Sequence, residues 1–469
     1  MKTRLKNPLA LVLCSVSLFG CSTMRSDFEQ PELAIPENWS QDRLQSQQTS
    51  ATAVEQLDKW WELFDDPQLD DLIEQVLQSN SDPAKATLTL KKARLEAGLS
   101  ENNKIPELGF SHTSSFEHDI DDNSSDTSFS SSLSLSYELD LWGRVDAAAD
   151  ADDWNAKASY EDRESTAQSL AVTAATLYWK LGYLNQMIAL TEQNIEGTER
   201  VATLTRRKFD TGSATRLEVL ESTQSLYGQR VQLSQLQQEL SETKLSISML
   251  LNQPLQESGF NIEQLSTLPV PDIAPGVPSE LLLRRPDIKA ALYALKSSLA
   301  TTDSVNAGYM PTLTLTSSLS TSSSDLLELL ENPIAKLGSG LVLPFLEWNE
   351  MELNKNISEL DYQMAVINYR DTVYSAMEET ANLLSAKQHY RYKGGIYKEQ
   401  YTNAKEIEAI YSSRYQYGAS DMIDWIIAME SRRSIESSFL ENRYNQFVIQ
   451  AKLYQSLGGS DIAPKTFTQ

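Results

Sequence analysis

A chain of 469 residues with 41% hydrophobic content can bury a sizeable core, and by length alone it has room for two to four domains. Its formal charge is −25, and losing Lys2, Arg4 and Lys6 with the leader described next takes it from −25 to −28. Such a polyanion repels nucleic acid and anionic lipid, so neither is expected as a partner.

Residues 1–20 have the layout of a secretory signal peptide: Lys2, Arg4 and Lys6, then the apolar run Pro8 to Leu13, then Leu18-Phe19-Gly20-Cys21. That ending resembles a bacterial lipobox, with bulky Phe19 where a small residue is usual. The resemblance implies a covalent lipid on Cys21, the only cysteine left after cleavage, and Ser22 behind it implies sorting to the outer membrane. Beyond Cys21 nothing approaches the roughly 20 apolar residues of a transmembrane helix, so any membrane span has to be built of strands. Residues 21–58 are polar, rich in Ser and Gln and broken by Pro31 and Pro36, which predicts an extended, lipidated tether.

Order begins at Trp60-Trp61-Glu62-Leu63-Phe64-Asp65-Asp66-Pro67. Asp65 or Asp66 is placed to cap a helix that runs through Leu69, Leu72, Ile73, Val76 and Leu77. A second helix is predicted from about Ser81 to Lys104. No proline occurs between Pro106 and Pro254, nor between Pro344 and Pro464, so these are two windows of uninterrupted structure. Each reads as strands followed by a very long helix, Val145 to Lys208 and about Glu350 to Ser413. At about 1.5 Å per residue the first of these would span roughly 95 Å. Return helices follow from Thr215 to Leu251, where Val219, Leu226, Leu233, Leu240 and Ile247 recur at sevens, and from Met422 to Leu457. Arg285-Pro286-Asp287 parallels Asp82-Pro83, Pro311 parallels Pro106 and Trp348 parallels Trp142. The chain therefore reads as two repeats, 59–251 and 286–458, joined by a proline-rich linker at 252–285 and followed by a tail at 459–469.

Four strands are predicted at about 106–118, 127–141, 311–321 and 335–346. From Phe129 to Leu141 one alternate set is mostly apolar and the other is Ser128, Ser130, Ser132, Ser134, Ser136, Glu138 and Asp140. Alternation over some ten residues suits an outer-membrane barrel, and it equally suits a half-buried sheet in a soluble sandwich. The leader and the lack of a transmembrane helix favour the barrel, with loops Glu117–Thr127 and Thr321–Pro333 outside the cell. Four strands cannot close a barrel in lipid. Two copies would give eight strands, too narrow for an open pore, and three would give twelve; a serine-lined pore favours three.

The turns between the long and return helices match at an offset of 206 residues. In each, an aromatic residue (Phe209, Tyr415) precedes a glycine (Gly212, Gly418) by three, and an acid (Glu218, Asp424) follows that glycine by six. Glu221 and Asp421 lie close by. In a symmetric trimer such acids form rings that attract cations; the simpler reading is that they complement helix dipoles. No cysteine cluster, phosphate-binding glycine loop or nucleophile elbow occurs, so no catalytic residue, metal or cofactor is expected. His112 and His118 read as surface residues, and Asp119, Asp121, Asp122 and Asp126 as a solvated loop.

Trp60-Trp61 with Phe64 and Asp66-Pro67, Tyr137-Glu138-Leu139-Asp140-Leu141-Trp142-Gly143-Arg144, Arg285-Pro286-Asp287 and Leu457-Gly458-Gly459 stand in an order that covers nearly the whole mature chain. Together they resemble the TolC-like outer-membrane factor family, specifically the lipoprotein branch that serves resistance-nodulation-division efflux systems. The resemblance implies a mainly α fold with a membrane β-barrel: a homotrimer with a twelve-stranded barrel, a long helical periplasmic tunnel and a small mixed equatorial region. It implies a passive exit duct for drugs or other small molecules, engaged by a periplasmic adaptor protein and energised by an inner-membrane transporter. It also implies that Tyr415 and Glu218 hold the tips closed by hydrogen bonding. Ser420 stands where relatives often carry arginine and Ile427 where they carry a gate aspartate, which leaves Asp424 as the main acid ring and Ile423 and Ile427 as apolar constrictions. The competing architecture is a lipid-anchored coiled-coil protein that links outer membrane and periplasm.

Overall fold

The computed structural model describes residues 24–36, 39, 59–254, 262–272, 279, 284–458 and 462–463. The leader and the proposed anchor Cys21 lie outside them. The elements run α1 (Pro67–Ser79), α2 (Ser81–Asn102), β1 (Glu107–Asp119), β2 (Ser124–Leu139), α3 (Arg144–Asp210) and α4 (Arg216–Leu250) in the first half. In the second half they run α5 (Pro286–Gly308), β3 (Thr312–Ser323), β4 (Ile334–Val342), α6 (Trp348–Gln416) and α7 (Met422–Ser456). Helix, strand, strand, long helix and return helix thus occur twice in the same order. Among the described residues no helix is long and apolar enough to cross a membrane.

The chain forms two compact units. One holds residues up to Leu33, Leu88–Tyr160 and Ala290–Thr372; the other holds Ala34–Thr87, Glu161–Lys289 and Val373–Gln469.

In the first unit the strands form one antiparallel sheet in the order β1-β2-β3-β4, with β1 and β4 at its edges. The register pairs Leu108 with Leu135, Phe110 with Leu133, Leu133 with Leu319 and Leu313 with Leu341, so the apolar sets share one face. That face is bare: Phe110 is 72% exposed and Leu337 87%. β1 and β2 extend further than expected, leaving only residues 120–123 as their turn, because the Ser- and Thr-rich ends pair as readily as the middle. There Asp119 accepts the N–H groups of Asp121 and Asp122, and His112 and His118 bond Ser131 and Ser125 across the strands instead of each other.

The motif between β2 and α3 is a corner. Arg144 forks onto Glu138 at 2.8–3.0 Å, Asp140 accepts the Asp146 N–H at 2.9 Å, and Gly143 adopts φ +77°. The Trp142 indole N–H donates to the Pro311 carbonyl at 2.9 Å, tying this corner to the start of β3. Small residues let the helices approach: Ala147, Ala149 and Ala151 are buried, and Ser297 donates to the Ala151 carbonyl. The N-terminal segment is extended, as its composition predicts, but it does not hang free. Arg25 pairs with Asp150, Ser26 donates both N–H and hydroxyl to the buried Asp303 carboxylate at 2.9 and 2.8 Å, and Gln30 bonds Tyr369.

The second unit is organised on aromatic packing. Trp60 stacks on Tyr454 at 5.5 Å, and Trp179 lies 4.9 Å from Phe64 and 5.2 Å from Phe447. Asp66 caps α1 and accepts the Tyr178 hydroxyl at 2.8 Å, which explains the Asp-Pro following the tryptophans. Arg285 is buried and holds Asp287, Glu379 and the Ser456 carbonyl, joining the start of α5 to the end of α7. Residues 262–272 carry no regular element and are pinned across three helices: Asn185 holds the Ile262 carbonyl, Arg443 the Ser266 carbonyl, and Lys387 pairs with Asp272. The seven-residue seam of α4 is only partly the buried one. Val219 and Ile247 are buried, Leu226, Leu233 and Leu240 are half-buried, and the deepest leucine is Leu236. A helix of 3.6 residues per turn drifts away from a strict sevenfold stripe.

Candidate functional site at the helical tips

Both tips belong to the second unit and share one backbone design. α3 ends with the Ser213 N–H on the Lys208 carbonyl at 2.7 Å and the Gly212 N–H on the Phe209 carbonyl at 2.9 Å, with Gly212 at φ +75°. α6 ends with the Ala419 N–H on the Arg414 carbonyl at 2.8 Å and the Gly418 N–H on the Tyr415 carbonyl at 3.1 Å, with Gly418 at φ +72°. Each is a Schellman motif, which requires the left-handed conformation that glycine adopts without penalty. This is the physical reason for the 206-residue match.

The return helices then diverge in how they start. Thr215 caps α4 through a complete capping box: its hydroxyl accepts the Glu218 N–H, and Glu218 Oε2 accepts the Thr215 N–H at 2.5 Å and hydroxyl at 2.7 Å. The Thr215 N–H and hydroxyl, with the Lys208 ammonium adding a smaller effect, hold the Glu218 carboxyl below the usual carboxylate range. Asp421 occupies the equivalent cap of α7, but its side chain makes no capping bond, and Asp424 stands where Glu218 does, one methylene shorter. Asp421 and Glu221 are exposed and Asp424 is half-buried. Ile423 and Ile427 are 39% and 59% exposed, one turn apart on the face away from buried Ile426.

Tyr415 is packed inward, 8% exposed, with Val201 of α3 and with Met422, Ile426 and Met429 of α7. Its ring lies 5.5 Å from that of Trp425, and the Lys208 ammonium sits 4.1 Å above it. Among the described residues the buried Tyr415 hydroxyl has no hydrogen-bond partner, nor have the Ser420 hydroxyl and the Trp425 indole N–H. The bond implied between Tyr415 and Glu218 is therefore not made within the chain. The capping box has taken the carboxylate instead, and the Tyr415 ring packs between the end of α3 and the start of α7.

Higher up, Asn194 of α3 meets two arginines of α7. Arg432 donates to its side-chain oxygen at 3.2 Å and Arg433 to its carbonyl at 3.0 Å. Arg432 also pairs with Glu408 and Glu436. Arg433 is buried with Nε and Nη1 unpartnered, and burial, then repulsion from Arg432, pushes it down to about 10. A Cβ on Gly197 would meet Arg433 Nη2 at 3.5 Å, an ordinary van der Waals contact, so the joint does not depend on glycine there. Lys208, Trp425 and the Asn194 joint escape a sequence reading because their roles depend on which faces of α3 and α7 meet. Among the described residues no group of acids, histidines and cysteines is arranged to hold a metal.

Comparison with known proteins places this geometry. A family model described as outer membrane efflux protein matches residues 72–253 and 277–459, one match on each repeat. The toxin and drug export protein A of Aggregatibacter actinomycetemcomitans is 30% identical over 410 residues, 85% of this chain and 88% of that protein. The pyoverdine export outer membrane protein OpmQ of Pseudomonas putida is 27% identical over 96% of this chain and 97% of its own length. The crystal structure of the Campylobacter jejuni CmeC outer membrane channel shares the fold with a TM-score of 0.86, at 23% identity over 93% of this chain and 95% of that one. With both repeats matched and the relatives covered almost end to end, this chain belongs to the outer membrane efflux protein family.

Proposed function

We propose that three copies of the chain close their sheets into one twelve-stranded barrel in the outer membrane, and that the helices of the second unit gather into a tunnel closed at its tips. The observation that carries this is the four-stranded sheet: one face is apolar and exposed, and both edges, β1 and β4, are unpaired among the described residues. Unpaired strand edges are untenable in lipid, and pairing β4 of one copy with β1 of the next removes every edge. Cys21 carries the lipid anchor, the helical tips dock a periplasmic adaptor, and an inner-membrane resistance-nodulation-division transporter supplies the energy. The protein is a passive duct with no catalytic step. The relatives' names include toxin, drug and pyoverdine export, and we read this chain's cargo as organic small molecules of that breadth. Light scattering on detergent-purified protein should give the mass of three chains, and mass spectrometry an acylated N-terminal cysteine that is lost in Cys21→Ser. A monomeric mass would overturn the barrel, and an unmodified Cys21 the anchor.

A further inference from the structure

The helices beside the sheet stand in the order of its strands. Ser100 of α2 bonds Asp152 of α3, the Trp154 ring of α3 stacks on Tyr293 of α5 at 5.6 Å, and Thr302 of α5 donates to the Ser358 carbonyl of α6 at 3.0 Å. α2 and α6 are therefore the edge helices of this row, as β1 and β4 are the edge strands of the sheet. Each edge helix turns an apolar stripe outward. Leu88, Leu95 and Leu99 on α2 and Leu353, Ile357, Leu360, Met364 and Ile367 on α6 are all more than half exposed. Their steps of seven and four on α2, and of four and three in alternation on α6, are those of a coiled-coil seam. The charges beside the stripes differ in sign. Between Trp348 and Met364 the exposed charges of α6 are Glu350, Glu352, Glu359 and Asp361, all acids. On α2, Glu96 and Glu101 are taken by Lys92 and Lys104, which leaves Lys91 and Arg94 without an ion pair among the described residues.

The chain already contains one joint of the kind these edges need. β2 pairs with β3, and α3, which leaves β2, packs on α5, which enters β3, through the Trp154–Tyr293 stack and the Ser297 bond to the Ala151 carbonyl. α6 leaves β4 and α2 enters β1 in the same sense. Trp142 and Trp348 are 206 residues apart and Pro106 and Pro311 are 205 apart; the same steps carry Trp154 onto Leu360 and Tyr293 onto Leu88. By the helical rise Leu360 lies about 18 Å from the sheet end of α6 and Leu88 about 21 Å from that of α2, so the two stand level. We propose that α6 of one copy packs antiparallel on α2 of the next in a leucine seam, with Leu360 against Leu88, Ile357 against Leu95 and Leu353 against Leu99. Lys91 and Arg94 of the next copy then face the acids of α6, which fixes the register by charge. This rests on the trimeric barrel proposed above, in which closing β4 onto β1 brings these two edge helices together. The seam seals the wall beside the sheet against lateral leakage, as the Trp154–Tyr293 joint does within the chain.

The test is cysteine cross-linking of full-length protein in its membrane with a short bismaleimide, read on a denaturing gel beside light scattering of the same variants in detergent. The double variant Leu88→Cys, Leu360→Cys should give a ladder of two and three linked chains. Leu95→Cys, Ile357→Cys is a second level pair and should give the same ladder. Each single variant should give none, and neither should Leu88→Cys, Leu353→Cys, whose side chains differ by about 13 Å in height. A link inside one chain adds no rung, because α3 and α5 stand between α2 and α6. A trimeric mass with no ladder from either level pair leaves the stripes to the helices of another protein and overturns the inference while the barrel stands. So does an equal ladder from the off-level pair, which would mean that the helices meet in another register. A monomeric mass overturns the barrel and the inference with it.

Discussion

The Lys208 ammonium lies 4.1 Å from the centre of the Tyr415 ring, so the last turn of α3 is held against the last turn of α6 by a cation–π contact. Such a contact contributes about 1 kcal/mol at a half-buried site, roughly fivefold in an opening equilibrium. Lys208→Gln should therefore speed amide exchange at residues 411–415 by about that factor, while Lys208→Arg should largely preserve protection. Equal exchange in wild type and Lys208→Gln would show that the contact does not hold the tips.

The capping box at Thr215 gives the first tip a pH dependence. Glu218 titrates lower when folded than in the unfolded chain, where a glutamate sits at about 4.3. Its stabilisation is then fully present above that value and is lost as pH falls through the lower folded value. Protection of the first turn of α4, corrected for intrinsic exchange, should fall on acidification in wild type and be flat in Glu218→Gln. Thr215→Ala should cost about 1 kcal/mol locally at neutral pH.

Three glycines at positive φ should respond unequally. A Cβ on Gly212 or Gly418 meets no atom within 4 Å, so alanine there should cost only backbone strain, about 1 kcal/mol each. A Cβ on Gly458 would lie 2.7 Å from the Arg284 carbonyl carbon and 2.8 Å from the Arg285 nitrogen. Gly458→Ala should accordingly cost about 3 kcal/mol or more, read as a much larger drop in Tm by circular dichroism. Similar Tm values for all three variants would contradict the packing at the end of α7.

The adjacent arginines of α7 should also part company. Arg433 keeps two N–H donors unpartnered in a buried site, so Arg433→Met should be neutral or raise Tm. Arg432→Met removes the cation from Glu408 and leaves Glu436 only the Tyr401 hydroxyl, and should lower Tm, by about 2 kcal/mol in stability. The reverse order would mean that the Arg433 bond to Asn194 outweighs its desolvation.

Much of this architecture is legible in the chain itself. Proline-free windows delimit the long helices to within a few residues, and the Ser/Leu alternation of β2 fixes its faces, because both follow from local chemistry and periodicity. The tip glycines are legible for the same reason: a Schellman motif needs a particular residue at a particular position. What the sequence hides is pairing across distance. The Tyr415 hydroxyl is what the sequence brings forward, whereas the contacts of its ring with Lys208 and Trp425 appear only in the fold. Residues 24–33 have the composition of a loose tether, and only the fold supplies Asp150, Asp303 and Tyr369 to hold them. The α4 seam looks regular at sevens, yet Leu226, Leu233 and Leu240 are only half-buried while Leu236, off the seam, is buried, because the neighbouring helices, not the repeat, decide what is covered.

Single-channel conductance in planar bilayers reads out whether Glu218 and Asp424 charge the tips of the proposed duct. Wild-type protein should give small, cation-selective currents, and the double variant Glu218→Ala, Asp424→Ala should give larger currents with weaker cation preference. Conductance and selectivity unchanged in that variant would contradict the assignment of the gate to these tips.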